Sequence, residues 1–199
     1  MLIKCITVGE VIVPLKVPFK TALRTVNELN DLVLIVETDT GHTGYGAATA
    51  TAVITGDLLD AMRATLAFIA PHLLGKNLLD FNTLLRTIHQ SIVRHDSLKA
   101  ALEIALFDLR AQQVGLPLYQ LLGGGEPVIK TDITISVNHT DIMVADARRA
   151  VAEGFDCLKI KLGGHTWRDD VLSVAAIFRA VGPHVALRHG RRECALARF

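Results

Sequence analysis

The sequence predicts an α/β chain in two parts: an α+β domain over residues 1–125 and an incomplete (β/α) barrel over residues 126–199. Three observations carry that prediction. Strand-like segments followed by helix-like segments fill the first part, the order of an α+β domain. After "LLGGGEP" the order becomes strand, helix, strand, helix, strand with short loops, which predicts parallel βαβ units. The first strand of that series alternates. Ile133, Ile135 and Val137 share one face; Asp132, Thr134, Ser136 and Asn138 share the other. A parallel sheet covered on both faces is apolar throughout. Alternation suits a barrel strand instead, apolar toward the helices and polar toward the interior.

Taken in order, residues 2–13 are rich in Ile and Val and predict a strand. The polar stretch "KTALRTVNELND" (20–31) predicts a loop, and "LVLIVETDTGHTGYGAA" (32–48) a hairpin turning at "TDTGHTG". A helix is predicted over 55–75, with Thr55 or Gly56 at its cap and a break near Pro71, and a second over 80–93. In a third, over 97–115, Leu98, Leu102, Ala105, Leu106 and Leu109 form an apolar stripe at helical spacing, and Gly115 is a C-cap candidate. The second part offers a strand over 131–138, a helix over 140–154 with a Thr or Asp cap, and the strand "FDCLKIKL" (155–162). A helix over 167–181 and the strand "HVALR" (184–188) complete it. A closed (β/α)8 barrel takes about 250 residues, so residues 126–199 have room for about two and a half units. The tail "HGRRECALARF" (189–199) has neither strand nor amphipathic pattern, and His189 and three arginines interrupt what should be the end of a third strand.

The totals narrow the function classes. Half the residues are hydrophobic (50%), enough for a substantial core. Against 20 Asp and Glu stand 21 Lys and Arg, with no clustered basic excess of the kind nucleic-acid binding needs. Cys5, Cys157 and Cys194 are odd in number and lack metal-ligand spacing, which fits a reducing cytoplasm. No signal peptide is apparent, and no apolar run reaches the roughly 20 residues of a membrane helix. "GYG" (44–46) lies in a hairpin, not between strand and helix, so it is no phosphate loop.

One stretch stands out. In "CLKIKLGG" (157–164), Lys159 and Lys161 point to one face of a strand, and Leu158, Ile160 and Leu162 to the other. Burying one ammonium is costly and two side by side more so. Either the strand end is solvated or the pair does chemistry.

Four segments resemble a known group. "ALFDLRAQQVGLPLYQLLGG" (105–124) is similar to the helix-turn signature of the enolase superfamily, in its muconate-lactonizing and mandelate-racemase-like branch, and "LKIKLG" resembles that branch's Lys-x-Lys strand. "PFKTALRTV" (18–26) and "TDITISVN" (131–138) resemble the dipeptide epimerases, which interconvert L-Ala-D-Glu and L-Ala-L-Glu or related dipeptides. The resemblance implies a capping domain over a TIM-like barrel, Mg2+ held by three carboxylates at the ends of barrel strands three, four and five, and a small-molecule dipeptide substrate. It implies no nucleic-acid or membrane partner and leaves a homo-oligomer open. The chemistry implied is abstraction of a proton α to a carboxylate. Lys161 would be the base and Lys159 the neighbouring cation that disfavours its charged form. A sixth-strand lysine would act from the opposite face. Arg24 would pair with the distal carboxylate of the substrate; an ordinary loop arginine is the alternative. Thr134 would touch substrate or bond to a neighbouring strand. Ile54, Thr55 and Gly56 match a second capping-loop region, where they would shape the pocket or start a helix.

The chain departs from that pattern after Arg188. The family's third strand ends in a motif like Arg-x-Asp-x-Asn-x-x-Trp, whereas here His189-Gly190-Arg191-Arg192 follow, and the three carboxylate ligands and the second lysine are absent. One permitted set of codons for the tail, read one base out of phase, gives Met-Asp-Ala-Gly-Asn-Ala-Arg-Trp-Leu-Ala. The expectation is a frameshift after Arg188 and a truncated, inactive form of a Mg2+-dependent dipeptide epimerase. A muconate cycloisomerase or o-succinylbenzoate synthase-like enzyme, or a non-catalytic remnant or binding module, are the alternatives.

Overall fold

The computed structural model describes residues 1–125, 128–164 and 166–190. The chain divides into two compact units. One comprises Met1–Pro14 and Glu28–Glu126; the other comprises Leu15–Asn27 and the chain from Pro127 onward.

The first sheet has the order β1-β2-β3, with β1 Ile3–Lys20, β2 Thr25–Thr38 and β3 Thr43–Thr49. The loop expected over 20–31 is therefore mostly strand. Its turn is short. Thr21 N–H donates to Arg24 O (2.9 Å), and Thr21 Oγ1 accepts from the N–H groups of Leu23 and Arg24 (both 3.2 Å). A hydroxyl closing its own turn in this way needs no glycine. The polar composition misled because this part of the ribbon is largely exposed. Hydrophobic alternation reports burial, not backbone pairing.

Four helices follow: α1 Leu59–Leu73, α2 Phe81–Ser91, α3 Asp96–Gln113 and the single turn α4 Leu118–Leu121. Helix α1 starts at Leu59, not at Thr55–Gly56. The Thr55 hydroxyl is used in a turn before it, donating to Thr51 O (3.3 Å) and accepting from Asp57 N–H (3.4 Å). Pro71 lies inside α1, which ends two residues later at Leu73.

The core of this unit is set by α3 lying directly on β3. Leu32, Leu34 and Val36 of β2 are fully buried, and their register partners on β3 are Ala48, Gly46 and Gly44. Large side chains on one strand thus stand beside almost none on the next. The space over β3 is filled by α3, whose Leu98, Ala101, Leu102, Ala105, Leu106 and Leu109 are all fully buried. A methyl group at Gly46 would overlap the Ala101 carbonyl, and one at Gly44 would sit 2.7 Å from Leu109 Cγ. Polar contacts fix the same approach. Tyr45 N–H donates to Asp108 Oδ2 (3.1 Å), and Gln112 Nε2 donates to Thr43 O (2.8 Å).

Lys99, buried on α3, donates its ammonium to the carbonyls of His89 (3.2 Å) and Ile92 at the end of α2. Those carbonyls have no partner within their own helix, so the lysine serves as a C-terminal cap from a neighbouring element. The start of α3 is held otherwise: Arg94 and His95 both adopt left-handed φ (60° and 56°), and Ser97 Oγ donates to the buried Asp57 (2.5 Å).

The second unit carries a parallel sheet of order β4-β5-β6: β4 Ile133–Ile135, β5 Cys157–Lys161 and β6 Ala186–Gly190. Helix α5, Thr140–Ala152, and helix α6, Trp167–Val181, connect them. Met143, Ala147 and Ala150 of α5 and Ile177 and Val181 of α6 pack with Ile135, Leu158 and Ile160. Both helices therefore cover the same face of the sheet. The residue capping α5 is His139, not Thr140 or Asp141. The Thr140 hydroxyl instead lies 2.7 Å from Ser173 Oγ of α6, tying the two helices together. Helix α6 opens on a capping box between Thr166 and Asp169. His189 and Gly190, expected to break the third strand, continue β6 in register with Ile160 and Lys161. The rest of the tail, with Cys194, lies outside the described residues.

Two stability predictions follow from unit one. Gly46→Ala forces the Ala101 backbone away and should cost about 1–3 kcal/mol, as overpacking does. Gly9→Ala, where nothing lies within 4 Å, should change stability by less than about 0.5 kcal/mol. Urea unfolding midpoints compare the two; equal midpoints would disprove the close approach. Lys99→Met keeps the apolar stem but leaves two part-buried carbonyls without their donor, at a cost of about 1–3 kcal/mol. Hydrogen exchange should show the loss first in the last turn of α2, and unchanged protection there would remove the capping role.

Candidate functional site

The pleat of β5 builds the candidate site. Leu158 and Ile160 are buried under the helices, which turns Cys157, Lys159 and Lys161 to the other face of the sheet. Lys159 is exposed and Lys161 half-buried, about 6.6 Å apart along the strand. Parallel register then sets their neighbours. Thr134 of β4 and Arg188 of β6 are the partners of Lys159 on either side, and Gly190 is the partner of Lys161. One row across the sheet thus reads Thr134, Lys159, Arg188.

Arg188 is the site residue that sequence reasoning missed. Its guanidinium reaches back across β5 to Asp132 (3.4 Å), the residue before β4. The alternation of residues 186–190 held the signal, since Arg188 is in phase with the lysine face once the strands are paired. With the Arg188 side chain 72% exposed, this pair adds little stability. Its effect is to place a third cation on the lysine face and an acid beside it.

Arg24 comes to the same end of this sheet. Lys20 N–H donates to Ser136 Oγ (3.2 Å), and Val137 N–H donates to Lys20 O (3.3 Å), so the hairpin tip is pinned just past the end of β4. Ala22 packs toward Gly163, two residues beyond Lys161. The carboxyl ends of parallel strands are where open and closed β/α sheets bind ligands. Lys161, Arg24 and Ser136 are gathered at that end. Thr134 also lines a cavity of about 630 Å3 with Phe19, Ser136, Asn138, Asp146 and Arg149. Ile54 and Thr55 belong to the first unit, in an exposed turn closed by N–H groups donating to Thr51 O.

The described residues do not fit a magnesium ion: among them no group of three or more His, Cys, Asp or Glu side chains could hold a metal. Among them, too, no helix is long and apolar enough to cross a membrane. What the arrangement can do is present primary amines, in a row with a guanidinium, to a small anionic ligand at a strand end.

Comparison with known proteins bears on that arrangement. Residues 3–123 match the N-terminal domain of the mandelate racemase / muconate lactonizing enzyme family. The chain is 43% identical over 189 residues to the L-Ala-D/L-Glu epimerase of Clostridium acetobutylicum, covering 94% of this chain and 52% of that protein. A substrate-liganded complex of the L-Ala-D/L-Glu epimerase from Bacillus subtilis superposes with a TM-score of 0.93 at 41% identity, over 95% of this chain and 53% of that one. A dipeptide epimerase from Enterococcus faecalis, complexed with Mg and L-Leu-L-Tyr, gives 0.91 at 34% identity, over 95% and 53%. The chain spans about half the length of the curated relatives it matches. With its fold and more than half its residues matched in this way, the chain belongs to the mandelate racemase / muconate lactonizing enzyme family.

Proposed function

We propose that this chain carries one side of a proton-transfer site that epimerises dipeptides of the L-Ala-D/L-Glu type. The observation that carries the reading is the Lys159–Lys161 pair on the face of β5 away from α5 and α6, with Thr134 and Arg188 in register beside it. The similarity to epimerases from Clostridium acetobutylicum and Bacillus subtilis supports the substrate class.

In this reading Lys161, in its neutral form, takes the proton from the α-carbon next to the substrate carboxylate. The C–H electron pair stays on the substrate as an enolate, and the proton rests on Nζ. Lys159 supplies positive charge beside it, which attracts the anionic substrate. Arg24, at the hairpin tip, pairs with the distal carboxylate in the bidentate geometry a guanidinium suits. Thr134 offers a hydroxyl to the substrate from β4. Inversion needs a second acid on the opposite face of the α-carbon. Both lysines of β5 stand on one face, so they supply only one of the two. In the relatives Mg accompanies the dipeptide, and the described residues here provide no cluster for it. In this reading the described residues supply the base side of the site, and the second acid and the ligands for a metal come from outside them.

The test uses both forms. The purified chain, with L-Ala-L-Glu and Mg2+ in deuterium oxide, should show no α-proton exchange above background by NMR. The chain continued by the unmatched second half of the Clostridium acetobutylicum relative should show exchange. In that fusion Lys161→Ala should slow it by at least about 100-fold, and Lys159→Ala should slow it at neutral pH. Near-normal exchange in the Lys161→Ala fusion would end the assignment of the base.

A further inference from the structure

One carboxylate on the lysine face has two cations within reach. Asp132 directly precedes β4 and alternates with Thr134, so it belongs to the face that carries Lys159 and Arg188. We propose that Arg188 is a positioning residue: by holding Asp132 in an ion pair it keeps that carboxylate off Lys159, and so leaves the Lys159 ammonium for an anionic ligand. The inference rests on the proposed function for what Lys159 is kept for. The placement of the charges, and its test, require no turnover.

Register makes the pairing unexpected. Ile133 is the partner of Leu158, so Asp132 lies one step before that pair and Lys159 one step after it on the adjacent strand. Standard strand spacing and rise put their Cα atoms about 8 Å apart, a gap that a long side chain crosses. Arg188 is the partner of Lys159 on the far side of β5, which puts its Cα about 12 Å from that of Asp132. Proximity along the sheet therefore favours the lysine. The ion pair goes instead to the arginine, whose guanidinium crosses β5 to meet the carboxylate at 3.4 Å. Among the described ion pairs Lys159 has none. The crossing is open because Cys157, at the level of Asp132, and its β6 partner Ala186 are both small. A guanidinium is forked to match a carboxylate and sheds water more readily than an ammonium, so Arg188 outcompetes the nearer cation. Its side chain is 72% exposed, so the pair does little for stability. What it decides is which cation is neutralised. With Asp132 on Lys159, a ligand carboxylate arriving at this face would meet an ammonium already paired. With Asp132 on Arg188, the ammonium is available.

Carbodiimide coupling reads the partner of Asp132 directly. The reagent activates a carboxylate, a lysine amine in contact displaces the urea, and an amide joins the two residues; a guanidinium gives no stable product. Lys130 and Asp156, paired at 2.8 Å in the same unit, serve as the internal standard. In the unaltered chain, mass spectrometry should find the Lys130–Asp156 amide and little or no Asp132–Lys159 amide. Arg188→Met and Arg188→Gln, both at an exposed position, should raise the Asp132–Lys159 amide about fivefold against the standard, the population change that an exposed ion pair commands. An unchanged yield of the standard shows that the variants keep the local fold. Methyl acetyl phosphate, an anionic reagent that acetylates amines with loss of methyl phosphate, measures the availability of Lys159 to an anion. Acetylation of Lys159 should fall in Arg188→Met and recover when Asp132→Asn is added, a rescue that a merely structural role of Arg188 would not give. An Asp132–Lys159 amide as abundant as the standard in the unaltered chain, no rise in either variant, or acetylation that neither falls nor recovers would overturn the proposal. A failed base assignment shows instead in the exchange kinetics of Lys161→Ala, so the two failures are told apart.

Discussion

The close seat of α3 on β3 is the constraint from which the first unit is built. Side chains on both elements normally fill the gap between a helix and the sheet it packs on. Here Gly44 and Gly46 remove those side chains on one strand, and Ala101 and Ala105 reduce them on the helix. The neighbouring β2 then supplies the bulk, with Leu32, Leu34 and Val36 at the register positions beside Ala48, Gly46 and Gly44. The contact is so near that side chains of α3 reach the backbone of β3: Gln112 bonds the Thr43 carbonyl and Asp108 the Tyr45 amide. Asp108 and Gln112 lie within the stretch 105–124 that carries the family resemblance. Those two polar residues serve this packing.

The second unit shows the same economy with a different outcome. A three-residue strand, Ile133–Ile135, is enough to place Thr134 beside Lys159 because parallel register fixes every row across the sheet. Helices α5 and α6 cover one face, and on β5 Leu158 and Ile160 take it, which turns the two lysines to the other. Two lysines at alternate positions of β5 are therefore not a packing anomaly.

Much of this was legible in the sequence, and the misses have physical causes. Helix α6 was read as 167–181, where Thr166 caps one end and Gly182, with φ of 85°, closes the other. Those are local signals, and local signals are strongest at caps. The stripe Leu98 to Leu109 was plain because one helical face is fully buried. The ribbon at 20–31 was not, since an exposed pair of strands leaves no hydrophobic pattern to find. Thr55 and Thr140 looked like helix caps, yet their hydroxyls serve a turn and a helix–helix contact. Arg188 could not be assigned to the lysine face until pairing told which strand lay beside β5. Its link to Asp132 spans 56 residues, and no window along the chain contains it.

The charges on the lysine face connect the fold to its chemistry. Lys159, Lys161 and Arg188 share that face, and Asp132 pairs with Arg188. In open water two like charges about 6.6 Å apart repel by well under 1 kcal/mol, so the exposed sheet bears the arrangement at little cost. The same charges in an enclosed interior of lower dielectric repel several times more strongly. In the proposed reading the substrate's carboxylates answer those charges: an anion seated at the strand end meets Lys159, Lys161 and Arg188 together, and the repulsion among the cations becomes attraction for the ligand.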